Sequence, residues 1–410
     1  MLLLFASVSI LAAQSETSPN LQLSGSVAPK KFKGKTASLT NLLEKSSLIV
    51  PIYYATSRKS IDSADGSLAY GTERGVATAY GKCFLSVPSH AEMPPVTKRL
   101  AADLSWKIYR PKTEKKFFDF QNIFEGFFFW DAESRKPERK YTTLETSPMK
   151  ETSFFEELKS KLKLMDSKSQ TGVVVYVHGY ANDFNSSCQT GGAIARYFEL
   201  PVVVYSWPSL GKSDAYSYLV DESTSEWCEA DFERFVSNLG KEVGFKNIII
   251  IAHSMGNRLI SRMLQQLSVS QDLAKDDDKF REIDFVSPEI DKMTFDSYEP
   301  QAIDHCSVIR LFVSGHDRAL DLSSWIHGSY SRAGSVFCDR ESAFAPKGKD
   351  VQVINFTVLD TELFGHKFSP SLLASFYKTD NAPEHYDTED VSTQFCTYRR
   401  LIKTKRYEDK

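Results

Sequence analysis

The chain of 410 residues has no C-x-x-C pair, and its six cysteines (Cys83, Cys188, Cys228, Cys306, Cys338, Cys396) are few and scattered. Zinc sites draw on closely spaced Cys and His ligands, so no metal is expected, and no other cofactor either. An even cysteine count leaves disulfides and buried free thiols equally open, with no connectivity deducible. No apolar run is long enough to span a bilayer. No basic stripe interleaved with aromatics is present, and the formal charge is −3, which argues against a nucleic-acid partner. No repeat emerges over the whole length. What remains is an ordinary globular composition, 41% hydrophobic and 25% charged.

The N-terminus departs from that composition. Leu2 to Ala13 is apolar or small throughout, and Gln14 to Pro19 turns polar. The run is too short for a membrane span and suits a signal-peptide core cleaved near Ala12 to Ser15, although no Lys or Arg precedes it. The expectation is an exported protein: periplasmic, secreted or associated with the cell envelope. Residues 1–15 are then a signal peptide, and 16–46 a flexible lead-in rich in Ser, Lys, Pro and Gly. Residues 47–398 form one domain, with N-terminal strands and loops over 47–165 and a catalytic core over 166–398. A polar, frayed tail covers 399–410.

Within 47–165 the strand candidates are Leu48 to Ala55, Gly81 to Pro88, Trp106 to Tyr109 and Phe117 to Phe120. Pro51 favours an edge position for the first. Ser60 to Gly75 and Pro137 to Lys150 read as loops, and Phe154 to Leu164 as a helix. The aromatic cluster Phe124, Phe127, Phe128, Phe129 and Trp130 fits a protein core better than a lipid surface. From Gly172 onward strand and helix alternate. Val173–Val177, Val202–Trp207, Ile248–Ile251, Glu282–Ser287, Val308–Val313 and Val351–Phe356 are strands. Helical spacing over Gly191–Phe198, Trp227–Leu239 and the stretch after Ser254 separates them, and one more helix follows Pro370. A charged insert covers Lys275 to Lys279. These are βαβ units, which build a mainly parallel central sheet flanked by helices.

The chain is organised around Asn247 to Leu264. Ile248 to Ile251 is an unbroken β-branched run, as in a strand buried on both faces. Leu259, Ile260, Met263, Leu264 and Leu267 then recur at helical spacing. Ser254 sits at the joint, followed by Met255 and Gly256. An ordinary helix-capping serine would look similar locally. In this context the pattern is a nucleophile elbow of the Gly-x-Ser-x-Gly type, with Ala252 in place of the first glycine.

A serine hydroxyl needs an adjacent base, usually a histidine oriented by a carboxylate. In elbow folds the chain order is Ser, then Asp or Glu, then His. Downstream lie Asp291, Asp317 and Asp360, and His305, His316, His327, His366 and His385. Asp317 follows the strand ending at Val313, and His366 follows the last strand, with Gly365 beside it to aim the ring. That order and placement select Asp317 as acid and His366 as base. Asp291 stays open as an alternative acid and His327 as a rival base, while His316 reads as a loop-fixing residue. Acyl transfer also needs oxyanion donors. The backbone N–H groups of Met255 and of Tyr180, in His178-Gly179-Tyr180, are the candidates, with His178 itself a loop brace.

Four motifs occur in order: Tyr-Val-His-Gly-Tyr-Ala-Asn-Asp-Phe, Tyr-Ser-Trp-Pro-Ser, Ala-His-Ser-Met-Gly-Asn-Arg and Ser-Gly-His-Asp-Arg-Ala-Leu-Asp-Leu-Ser. With them the chain resembles the mostly bacterial α/β-hydrolases of unknown function (domain of unknown function 900) of the esterase/lipase superfamily. Val50 to Arg58 and Tyr80 to Pro88 resemble the same family, so the likeness runs from about Leu48 to Leu372. It implies an α/β-hydrolase fold with extra N-terminal strands, and Ser254, Asp317 and His366 by position. The expected activity is hydrolysis of a small-molecule or lipid carboxylic ester through an acyl-enzyme. A thioesterase, amidase or acyltransferase would use the same triad, and a silent hydrolase fold serving as a binding protein is the reading from another class. Oligomeric state does not follow from the sequence.

Overall fold

The structure is a computed structural model. It describes residues 47–62, 68–88, 142–165, 171–270, 279–335, 351–357, 366, 369–379, 386–392 and 397–403. The chain divides into Met1–Lys45 and Ser46–Lys410, and the described residues belong to the second unit. The signal-peptide and lead-in expectations, the strands at 106–109 and 117–120, the aromatic cluster at 124–130 and most of the charged insert lie outside them.

Among the described residues eleven strands form one sheet: β1 (Ser47–Asp62), β2 (Leu68–Pro88), β3 (Thr142–Met149), β4 (Val173–Val177), β5 (Val202–Ser206), β6 (Ile248–His253), β7 (Glu282–Val286), β8 (Ile309–Val313), β9 (Val351–Asn355), β10 (Tyr386–Ser392) and β11 (Thr397–Lys403). Their order is β10-β11-β9-β8-β7-β6-β4-β5-β1-β2-β3. From β11 to β1 every neighbouring pair is parallel, and the two margins are closed by antiparallel hairpins.

The helices are α1 (Glu151–Leu164), α2 (Phe184–Phe198), α3 (Ala215–Trp227), α4 (Glu229–Val243), α5 (Asn257–Ser270), α6 (Lys292–Asp304), α7 (Arg318–Ile326) and α8 (Pro370–Thr379). Side chains alternate along each strand, so the sheet feeds two cores. Val173, Val175, Val177, Ile248, Ile250 and Ala252 face one core with α1, α4, α5 and α6. Val174, Tyr176, Ile249 and Ile251 face the other, with α2 and α8. Ile248 to Ala252 have no solvent exposure, and each buried isoleucine contributes about 1.5–3 kcal/mol of hydrophobic stabilisation. This is why the elbow strand carries no polar residue before His253. The molecule has the α/β-hydrolase fold, a mainly parallel sheet flanked by helices with extra N-terminal strands.

Several expectations are corrected. β1 is not an edge strand: it pairs with β5 through Tyr53–Thr56 and with β2 along its length. Pro51 is tolerated because it lies before the β5 pairing, where only β2 flanks it. Most of the loop expected over 60–75 is the far end of the β1–β2 hairpin. The stretch 137–150 contains β3, and the supposed tail contributes β11, which pairs in parallel with β9. The helix expected over Trp227–Leu239 is α4 (Glu229–Val243), and a further helix that was not expected, α3 (Ala215–Trp227), precedes it and meets it at Cys228.

Candidate active site

The chain passes from β4 outward to β5, then returns to lay β6 on the other side of β4. Ligands in open α/β sheets bind outside the carboxyl ends of the strands at such a reversal. The loop after β4 (His178 to Asn182) and Ser254 after β6 both lie there.

Ser254 is buried and has φ +53°, in the left-handed region that non-glycine residues seldom occupy. Such a conformation costs on the order of 1–3 kcal/mol and persists only where neighbours hold it. Here Asn257 Nδ2 donates to the Ser254 carbonyl (2.9 Å) and to Val286 O (3.2 Å). The Glu289 N–H donates to the same Ser254 carbonyl at 3.3 Å. Gly256 is needed for close approach: a Cβ there would lie 2.5 Å from His178 O and 2.8 Å from Val177 O. Met255 sits in the 3-10 turn Ser254–Gly256 that leads into α5. Amides in such a first turn have no partner within their own helix.

The loop after β4 is held from several sides. The His178 ring is fully buried and stacks on Trp207 at 5.0 Å, and the Trp207 indole N–H donates to His178 O at 2.7 Å. Its two ring nitrogens lie 2.8 Å from Gly179 O and 3.1 Å from Trp207 O. A neutral ring donates to only one of them. Burial, and then the Arg58 charge, push the His178 pKa down to about 3. The ring is therefore a neutral brace. Ala181 has φ +56°, and its N–H donates to Asp221 Oδ2 at 3.2 Å. Asn182 Nδ2 donates to Tyr180 O (2.9 Å) and Gly179 O (3.2 Å). The Tyr180 hydroxyl donates to Asp214 O at 2.8 Å, and its ring meets Tyr218 edge-on at 5.4 Å.

Arg58, at the end of the apolar part of β1, is the anchor of this loop. It is 2% exposed and donates to Asn182 O (2.7 Å), Ser206 Oγ (2.9 Å), Ser209 O (3.0 Å) and Gly71 O (3.1 Å). Burial pushes its pKa down to about 10, partly offset by Asp183 and Asp221, so it stays charged at neutral pH.

Asp317 and His366 come together. His366 Nδ1 lies 2.7 Å from Asp317 Oδ2, and Asp317 Oδ1 accepts the Leu320 N–H at 3.0 Å as the N-cap of α7. Asp317 is 1% exposed. A carboxylate only accepts, so Nδ1 carries the proton and Nε2 the lone pair. The His366 ring lies 4.9 Å from that of His253, the residue preceding Ser254. Asp291 is elsewhere: its Oδ1 accepts the Thr294 N–H at 2.9 Å, capping α6. His327 Nε2 lies 2.8 Å from Glu222 Oε1 and its Nδ1 2.7 Å from Ser323 O. His316 is exposed, and its backbone N–H, rather than its ring, ties the loop to Ser314 Oγ. His305 precedes β8 and so lies at the opposite end of that strand from Asp317. Asp360 and His385 are outside the described residues.

Behind the elbow lies a buried charge cluster with no counterpart in the motif reading. Glu289 accepts two N–H bonds from Arg258 (2.9 and 3.0 Å), the Tyr218 hydroxyl (2.7 Å) and the Ser323 hydroxyl. Arg258 continues to Glu222 at 2.7 Å. Burial by itself would raise the Glu289 pKa, but the Arg258 charge and its hydrogen bonds bring it down to about 2. Glu289 thus joins the Ser254 backbone, through its own N–H, to Tyr218 and the loop above it. The signal available in sequence was a charged residue in Ser287-Pro288-Glu289, next to a buried strand end.

The buried His178 predicts an acid limb in stability. Its folded pKa of about 3 lies below the unfolded value of ~6.5, so the unfolded chain binds the proton first. The contribution is complete above pH 6.5 and is lost as pH falls towards 3, up to on the order of 4–5 kcal/mol. Urea midpoints of wild type and His178→Asn should therefore converge as pH drops from 7 to 4. Parallel curves would contradict a neutral buried ring.

Comparison with known proteins gives the following. The model of α/β hydrolases of unknown function (DUF900) matches residues 150–372. Among solved structures, a hyperthermophilic esterase from the archaeon Pyrobaculum calidifontis is 12% identical, with 70% of this chain and 98% of that chain covered and a TM-score of 0.28. A monoclinic form of a Pyrobaculum calidifontis esterase is 12% identical, covering 51% and 75%, with a TM-score of 0.22. An arylesterase is 11% identical, covering 70% and 99%, with a TM-score of 0.26. Overlaps at these scores carry no argument about activity. A search of curated proteins found no match. The family model spans more than half of the sequence, and the chain belongs to the α/β hydrolases of unknown function.

Proposed function

We propose that the protein is a serine hydrolase that cleaves carboxylic esters of small molecules or lipids through an acyl-enzyme. Ser254 Oγ attacks the ester carbonyl carbon while His366 Nε2 takes its proton. Asp317 holds Nδ1–H and stabilises the imidazolium, remaining ionised itself. The tetrahedral oxyanion accepts the N–H groups of Met255 and Tyr180, each worth about 10²–10³ in rate. Collapse expels the alcohol, protonated by His366, and a water activated by the same ring then releases the acid.

The observation that carries this reading is the Asp317–His366 pair, 2.7 Å apart, with the His366 ring against the residue preceding a left-handed Ser254. A surface histidine or a simple helix cap would need neither the buried carboxylate nor the strained serine. A panel of p-nitrophenyl esters of increasing acyl length tests it. Turnover of at least part of the panel is expected, and the length profile reports the acyl site. A folded protein that turns over no ester on the panel would overturn the ester assignment.

A further inference from the structure

We propose that Cys83 and Cys188 are a covalent cross-linking site, closing as a disulfide when the chain folds under oxidising conditions. The two Sγ atoms lie 3.3 Å apart, and both residues are fully buried. The pairing follows from how α2 is laid on the sheet. Gly192 of α2 rests on Leu85 of β2: a Cβ at 192 would come within 2.5 Å of Leu85 Cδ1. Gly191 is as close to β5, with a Cβ there 2.3 Å from Val204 Cγ2. Two successive glycines therefore bring the helix backbone down onto the strands.

Cys188 lies one helical turn before Gly192 and on the same face, and Cys83 lies two residues before Leu85 on the same face of β2. The glycine–leucine contact thus fixes the cysteine–cysteine contact beside it. Both cysteines belong to the same apolar cluster as Ile52, Leu85 and Val204. The pair also joins distant parts of the chain, 105 residues apart, tying the β1–β2 hairpin to the helix that follows the loop after β4.

The other described cysteines have different surroundings. Cys228 Sγ lies 3.4 Å from Ser57 Oγ, and Cys306 Sγ donates to Val308 O at 2.9 Å. The cross-link therefore has one pairing among these four. The reaction balances with a small-molecule disulfide such as glutathione disulfide as oxidant. The two thiols lose two protons and two electrons to form one S–S bond, and the glutathione disulfide is reduced to two glutathione thiols. It proceeds by exchange through a mixed disulfide, which needs an accessible thiolate. Burial holds the Cys188 thiol well above its usual range, so exchange belongs to folding, before α2 covers the pair.

The test compares the full chain produced in an oxidising host with the same chain from a reducing one. Each sample is unfolded in alkylating reagent and mapped by non-reducing peptide mass spectrometry. The expected result is a Cys83 peptide joined to a Cys188 peptide, two hydrogens lighter than the thiol pair, in the oxidising sample only. That sample should melt higher by on the order of 5 °C, because the bond closes a long loop in the unfolded chain. Cys83→Ala should remove the difference between hosts. Folded protein from the oxidising host with both thiols alkylated would overturn the proposal, as would either cysteine joined to a different partner.

Discussion

Ser254→Ala is expected to lower ester turnover by about 10⁶ in kcat, the scale of a nucleophile deletion in a serine triad. Stability should stay close to wild type. The substitution removes one hydroxyl, and the hydrogen bonds that hold the elbow run to the Ser254 carbonyl from Asn257 and Glu289. Alanine meets the same backbone constraint at φ +53° as serine does. The measurement is kcat on the best p-nitrophenyl ester, paired with a thermal melt. A variant that melts like wild type and keeps activity within tenfold would mean that another group attacks the ester.

Asp317→Asn should lose about 10⁴ in kcat, whereas Asp291→Asn should lose less than about tenfold. Both aspartates cap helices: Asp317 accepts from the Leu320 N–H and Asp291 from the Thr294 N–H. Asparagine caps about as well as aspartate, so neither helix should loosen. Only Asp317 also meets His366. An asparagine there presents an amide where a carboxylate accepted Nδ1–H. It favours the wrong tautomer and leaves the imidazolium without a counter-charge. Equal losses in the two variants, with unchanged melts, would contradict this division of roles.

The same comparison shows what could be read in sequence. The elbow was legible because Ile248 to Ile251 must be apolar on both faces, after which the hydrophobic period changes at Ser254. Order and placement along the chain favoured Asp317 over Asp291 without excluding the latter. Each opens a helix after a buried strand, and the position of His366 distinguishes them. Arg58 and Glu289 were missed for a related reason. A buried charge is defined by partners far along the chain, such as Asn182 for Arg58 and Arg258 for Glu289. No local period marks such a pairing. The strand β3 read as a loop and β11 as part of a frayed tail because strands at or near a sheet margin carry polar side chains. Thr142-Thr-Leu-Glu-Thr-Ser has the composition of a turn. Likewise α3 is rich in serine and acidic residues, and its start is set by the Asp214 cap, which accepts the Ser217 N–H at 2.8 Å.

The central claim, that Ser254 is an activated nucleophile, is tested most directly by a fluorophosphonate. The wild-type protein is treated with the reagent, digested and mapped by mass spectrometry. A single phosphonyl adduct is expected on the peptide that spans the β6–α5 turn, localised to Ser254. An adduct on a different serine, or a folded protein that takes up no reagent, would contradict it.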